Sequence, residues 1–182
     1  MKQPLLRFLF IFLLSIYSLS AVAMDEEARL KQAVDTAVAS DGEMSAAAHE
    51  ARVELTDFYW DTKAESSGRL YRAAPYLQKV LEYYQQNGGD RSDIVRTRFR
   101  LGRSLRIRGQ YREALPHIEF VYERWNNKWG EGNRKTLAVM YDLGAAYLAI
   151  DDMDRALPIL ERLVEGSESL FGDSHRQFSE KP

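Results

Sequence analysis

The segment Val95–Gly130 reads VRTRFRLGRSLRIRGQYREALPHIEFVYERWNNKWG, and Leu137–Gly172 reads LAVMYDLGAAYLAIDDMDRALPILERLVEGSESLFG. Laid on each other at a shift of 42, Leu101-Gly102 falls on Leu143-Gly144, Ala114-Leu115-Pro116 on Ala156-Leu157-Pro158, and Trp129-Gly130 on Phe171-Gly172. Self-similarity at a fixed period between twenty and fifty residues is the mark of a stacked repeat. Between the matched glycines each copy carries two amphipathic helical stretches, so the repeating unit is a helical hairpin.

Working outward, a weaker copy precedes these two at a shift of 41: Gly68, Ala73, Pro75, Val80, Glu82 and Gly89 fall on Gly109, Ala114, Pro116, Val121, Glu123 and Gly130. The same register places Phe58 on Phe99. Three hairpins follow, with first helices near 51–67, 93–108 and 135–150 and second helices near 70–86, 111–127 and 153–169. Three is about the number at which stacked hairpins bury enough surface to be stable. Upstream, Leu30, Val34 and Val38 recur at four-residue steps, the spacing of one helix face. That predicts a helix over 25–40, broken at Asp41-Gly42, with a second from about Met44.

Each repeated residue has a physical job. Glycine inside a helix costs about 1 kcal/mol relative to alanine, so Gly102 and Gly144 predict close helix crossings, with Ala114 and Ala156 facing them. Gly68 and Gly109 stand where a first helix must end in a left-handed turn, and Asp151 takes that place in the third copy, less comfortably. Pro75, Pro116 and Pro158 are tolerated near a helix start, where the missing N–H has no partner. The second helices are therefore expected to begin near them or to bend.

At 182 residues, 45% hydrophobic and 29% charged, the chain has the composition of a folded domain rather than a disordered or membrane-embedded one. Residues 1–23 stand apart: Lys2 and Arg7 precede the apolar run Phe8–Tyr17, which is followed by Ser18, Ser20 and the small-residue pattern Ala21-Val22-Ala23. This is the three-part pattern of a secretory signal peptide, too short in its apolar part for the roughly 20 residues that span a bilayer. Cleavage after Ala23 predicts an exported protein beginning at Met24. The periplasm of a Gram-negative cell is the expected location, with secretion or an uncleaved membrane anchor as alternatives. Removal of Lys2 and Arg7 would take the formal charge from −2 to −4, so no general attraction to nucleic acid or anionic lipid follows. The absence of cysteine excludes disulfides, thiolate zinc sites and a cysteine nucleophile.

The pattern Leu101, Gly102, Leu105, Gly109, Tyr111, Ala114, Ile118, with its copy Leu143, Gly144, Tyr147, Met153, Ala156, Leu160, resembles the tetratricopeptide repeat. The 42-residue period, the Ala-Leu-Pro opening and Gly-Asp-Ser-His at 172–175, read as a turn, are most similar to the kinesin-light-chain variety. The resemblance covers about 51–176 and is weaker in the first copy, where Trp60-Asp61 replaces Leu-Gly. It implies an all-α, right-handed solenoid of about three hairpins (51–91, 92–133 and 134–176), with residues 24–50 as an N-terminal helical cap and 177–182 as a tail. It also implies a concave groove, lined by first helices, that takes a partner's peptide or helix. Groove-facing positions would be Arg96, Phe99, Arg103, Arg106 and Ile107, then Ala138, Tyr141, Ala145, Leu148 and Ala149, and before them Leu55, Phe58, Thr62 and Glu65. The two-carboxylate clamp of chaperone-binding members calls for asparagine and lysine where this chain has arginine, phenylalanine and alanine, so that specificity does not carry over.

Eight arginines lie between Arg91 and Arg112, against Asp93 as the lone acid. Two readings stand. Arg96, Arg103 and Arg106, with Phe99, Tyr141 and Phe58 beside them, suit an acidic peptide carrying one or two aromatic or aliphatic anchors. Alternatively the arginines solvate an exposed helix and pair with Glu113, Glu119 and Glu123.

No catalytic set assembles. His49, His117 and His175 lie in separate elements, and His49-Glu50 lacks the second histidine of a zinc helix. Asp151, Asp152 and Asp154 lack the glycine and distal glutamate of a calcium loop. No metal, cofactor or enzymatic activity is implied. Leu157, Leu160, Leu163 and Val164 predict an unshared apolar flank on the last helix, through which chains could self-associate. The expected function is therefore an exported, non-enzymatic scaffold or adaptor that grips a partner protein's segment. A structural homo-oligomer, or an accessory subunit of an envelope enzyme or transport complex, is the alternative.

Overall fold

A computed structural model describes residues 26–61 and 69–179, with side chains through residue 170. The signal-peptide reading, the turn at Gly68, and Thr62 and Glu65 lie outside the described residues. Every regular element among them is helical. The chain divides into two compact units after Ala51.

In the first unit, α1 spans Glu26–Asp41 and buries Leu30 and Val34. Gly42 follows in the left-handed region, at φ +97°. The Ser45 hydroxyl then accepts from the amide of Ala48 at 3.1 Å, capping the start of α2 (Ala46–Trp60).

The second unit contains the end of α2, a single 3-10 turn at Leu70–Arg72, α3 (Ala74–Asn87), α4 (Arg91–Ile107), α5 (Tyr111–Trp129), α6 (Arg134–Ala149) and α7 (Met153–Ser179). Sequential helices pack on one another from α3 onward, and α6 also touches α4 across the intervening hairpin. This is the all-α hairpin repeat that the 42-residue period predicts. Leu101, Ile118, Val121, Val139 and Met140 are essentially fully buried. Each such side chain contributes about 1.5–3 kcal/mol.

The repeat glycines do what their spacing requires. A Cβ on Gly102 would lie 2.7 Å from Ile118 Cγ1, and one on Gly144 would lie 2.5 Å from Leu160 Cδ2. Ala114 and Ala156 are completely buried. Gly109 ends α4 at φ +78°, with the Gln110 amide reaching back to the Leu105 carbonyl at 2.9 Å. Asp151 repeats this turn at φ +63°, with the Asp152 amide on the Tyr147 carbonyl at 3.0 Å. The prolines divide: Pro75 sits in the first turn of α3, whereas Pro116 and Pro158 lie inside helices that begin five residues ahead of them.

One expectation fails at the C-terminal end. The turn read at 172–175 is absent, because α7 continues through Ser179 and carries His175 within it. The corresponding chain reversal after α5 uses Gly130 at φ +76° and then Asn133, whose side chain accepts from the Lys135 amide at 2.9 Å. In the third copy Ser174 and His175 replace Gly132 and Asn133. With neither the second glycine nor the capping amide, continued helix is the lower-energy path.

Candidate functional site

The second unit contains a cleft of about 1260 Å³, bounded by Trp60 at the end of α2, the first turns of α4 and α6, and the last turns of α5. Four rings run along it. Trp60 meets Phe99 edge-on at 5.8 Å between centroids, Phe99 meets Trp125 at 4.8 Å, and Trp125 meets Trp129 at 5.8 Å. Cations close both ends of the row. The Arg100 guanidinium lies 5.4 Å from the Trp60 ring, while Lys128 and Lys135 both lie over Trp129, at 4.8 and 4.9 Å. Seven basic side chains line the cleft against Asp90 and Glu123, and Asp90 is engaged in capping α4 through the Ser92 amide at 3.1 Å. A protein of formal charge −2 thus concentrates positive potential in one place.

The residues nominated from sequence separate into groups. Arg96 and Phe99 line this cleft, and Arg96 pairs with Asp93 at 2.7 Å. Arg103 and Arg106 turn instead toward Asp142 on α6, at 4.0 and 2.7 Å. Asp142 is almost completely buried, and burial pushes its carboxyl above the usual range against the pull of Arg106 and Arg103. Tyr141 is 56% exposed, with Arg106 over its ring at 5.6 Å. Leu148 is exposed farther along α6 and does not line the cleft. Phe58 is half-buried beneath Arg69, 4.7 Å away, and Trp60 takes the place expected for it. Leu55 is fully buried.

The arginine partners also differ from the glutamates expected. Arg100 pairs with Asp57. Glu119 instead accepts from the Tyr147 hydroxyl at 2.5 Å and lies 3.5 Å from Arg155. Packing brings carboxylates from the neighbouring first helices α2 and α6 to Arg100, Arg103 and Arg106, while Arg96 finds Asp93 one turn away on α4.

Sequence reasoning passed over Trp125, Trp129, Lys128, Arg134, Lys135 and Asp142. Two signals were present. Arg134 and Lys135 occupy the first turn of α6, where the helix dipole disfavours cations. Asp142 interrupts the apolar stripe that runs through Val139, Leu143 and Ala146.

On another face, His117 is largely buried beside Gly102, and burial together with the nearby Arg98 lowers its pKa to about 4. Among the described residues no cluster of His, Cys, Asp and Glu could hold a metal ion, and no helix is long and apolar enough to cross a membrane. Met153, Leu157 and Val164 on α7 are about half exposed, and Leu160 and Leu163 are half-buried.

Residues 93–169 match the family model of the tetratricopeptide repeat. No curated protein matches the chain. Among solved structures, the chain is similar to the TPR-like repeats of a kinesin light chain from Podosopora anserina, at 19% identity and a TM-score of 0.54, covering 77% of this chain and 64% of that one. A single-substitution variant of that protein gives the same values. The chain thus spans less than two thirds of the solved chains it matches, and at this identity the likeness establishes the fold. The matched residues 93–169 span the hairpins α4–α5 and α6–α7, which are the two units of this chain that resemble tetratricopeptide repeats.

Proposed function

We propose that this protein is a non-enzymatic scaffold that holds an acidic segment of a partner protein in the cleft between α4, α5 and α6. The observation that carries the reading is the excess of cations around a continuous aromatic floor in a chain that is otherwise slightly acidic. Tetratricopeptide repeats bind other proteins, and a cleft of about 1260 Å³ exceeds the 300–1,000 Å³ typical of small-molecule sites. Packed helices hold the cations in place before binding, so the partner alone loses conformational freedom. Export to the periplasm is part of the proposal and rests on the composition of residues 1–23.

A photo-crosslinking residue at Ala138, which is exposed and lines the cleft, tests this directly. The expected product joins the cleft to a partner peptide rich in Asp and Glu, identified by mass spectrometry. Crosslinks to basic or purely apolar segments refute the reading. The exposed Met153, Leu157 and Val164 favour a second reading, self-association through α7. Sedimentation as a monomer at every concentration excludes it.

A further inference from the structure

The cleft is electrostatically lopsided. Toward Trp60 its arginines already have acidic partners: Arg100 has Asp57 and Arg96 has Asp93, while nearby Arg103 leans on Asp142. Toward Trp129 the situation reverses. Arg91, Arg124, Lys128, Arg134 and Lys135 line the wall, and among the described residues none of them forms an ion pair with a carboxylate. Glu123 is the one acid beside them that is not already capping a helix.

The rings, meanwhile, are occupied. Phe99 and Trp125 pack on each other and on their neighbours, Trp60 is met by Phe99 and two guanidiniums, and Trp129 carries two ammonium groups. A cation over an aromatic face is held there by attraction to the ring quadrupole. The aromatic floor therefore positions Lys128 and Lys135 and leaves their remaining donors for a ligand. Two of the other cations, Arg91 and Arg134, begin helices α4 and α6, whose positive ends add to the same potential.

We infer that the anchoring end of the cleft is the Trp129 end, where Arg91, Arg124, Lys128, Arg134 and Lys135 bind clustered carboxylates of an extended acidic peptide, without an aromatic anchor in the ligand. This rests on the proposed function above and specifies it. Arg106 is held on Asp142 and Arg103 lies 4.0 Å from the same carboxylate; neither lines the cleft, and both stand outside the ligand-binding set.

The test uses fluorescein-labelled octaglutamate, the same peptide with one central Trp, and an eight-nucleotide oligothymidine, each titrated against the full chain by fluorescence anisotropy. Octaglutamate is expected to bind, and the Trp-containing peptide to bind within about threefold of it. Affinity should fall about tenfold between 0.05 and 0.5 M salt as exposed charges are screened. Lys128→Glu with Lys135→Glu should weaken binding about tenfold or more, the size of several exposed charge pairs lost or reversed, with the helical circular dichroism unchanged. Arg103→Lys should leave binding within twofold. Octaglutamate binding that is absent, or equal in the Lys128→Glu/Lys135→Glu variant, overturns the inference. So does oligothymidine binding tighter than octaglutamate, or a requirement for the Trp. If the Ala138 crosslink still captures an acidic partner segment under any of those outcomes, the proposed function survives and only the anchoring end is wrong.

Discussion

Gly102 and Gly144 occupy the same position of two successive repeats, yet replacing each by alanine should have different consequences. A methyl group on Gly102 would lie 2.7 Å from Ile118 Cγ1, 3.3 Å from the Ile118 backbone nitrogen and 3.3 Å from His117 Cβ. Ile118 is 1% exposed and the backbone atom is fixed by α5, so neither can give way. Overpacking costs about 1–3 kcal/mol, and with both neighbours held in place the upper part of that range, about 2–3 kcal/mol, applies, against a gain of about 1 kcal/mol in helix propensity. Gly102→Ala should therefore destabilise by about 1–2 kcal/mol. At Gly144 the two nearest atoms are Leu160 Cδ2 at 2.5 Å and Cγ at 2.9 Å, and the third, Ile159 Cγ2, is at an ordinary 3.7 Å. Leu160 is half-buried, and a rotamer adjustment of about 0.5–1.5 kcal/mol clears the methyl. Gly144→Ala should then stay within about 0.5 kcal/mol of the parent. Urea unfolding followed by helical circular dichroism measures both. With a slope near 2 kcal/mol/M, Gly102→Ala lowers the midpoint by roughly 0.5–1 M and Gly144→Ala leaves it nearly unmoved. Equal midpoints for the two variants, or an unshifted Gly102→Ala, would refute the account of these glycines as contact positions of unequal tightness.

Asp151→Gly should stabilise by about 0.5–1 kcal/mol, because φ +63° is strained for a side-chain-bearing residue and free for glycine; thermal unfolding checks it. Arg106→Met should cost about 2–4 kcal/mol, since it leaves the buried Asp142 carboxylate facing only Arg103 at 4.0 Å. Asp142→Asn should cost about 1 kcal/mol or less, because burial already disfavours the charge and Arg106 retains access to solvent; chemical denaturation that ranks the pair the other way would show the carboxylate to be the indispensable partner. His117 titrates near 4 in the folded chain and near 6.5 unfolded. It contributes nothing above pH 6.5, and between 6.5 and 4 the unfolded state alone takes up the proton, so stability falls across that window as the pH is lowered. A His117→Asn variant should show a flatter midpoint between pH 7 and 4 than the parent.

Features set within a few turns of chain are readable from the order of residues alone. The 42-residue period, the helix faces, the crossing glycines and the left-handed turns at Gly109 and Asp151 depend on local stereochemistry and on which residues cannot tolerate a neighbour. The continuation of α7 past Gly172 is written in Ser174 and His175, which stand where the second copy has Gly132 and the capping Asn133. The candidate site was only half legible. Arg96 and Phe99 line the cleft, and helical spacing could not distinguish them from Arg103 and Arg106, which share the same face of α4. Packing between helices separates them, because the deciding partner, Asp142, lies 36 residues beyond Arg106 on another first helix. The aromatic row likewise draws on α2, α4 and α5, and Lys135 joins it from α6. Charge pairing and ring stacking between helices are set by distances of a few ångströms across a packed interface, and stacking the hairpins is what fixes those distances.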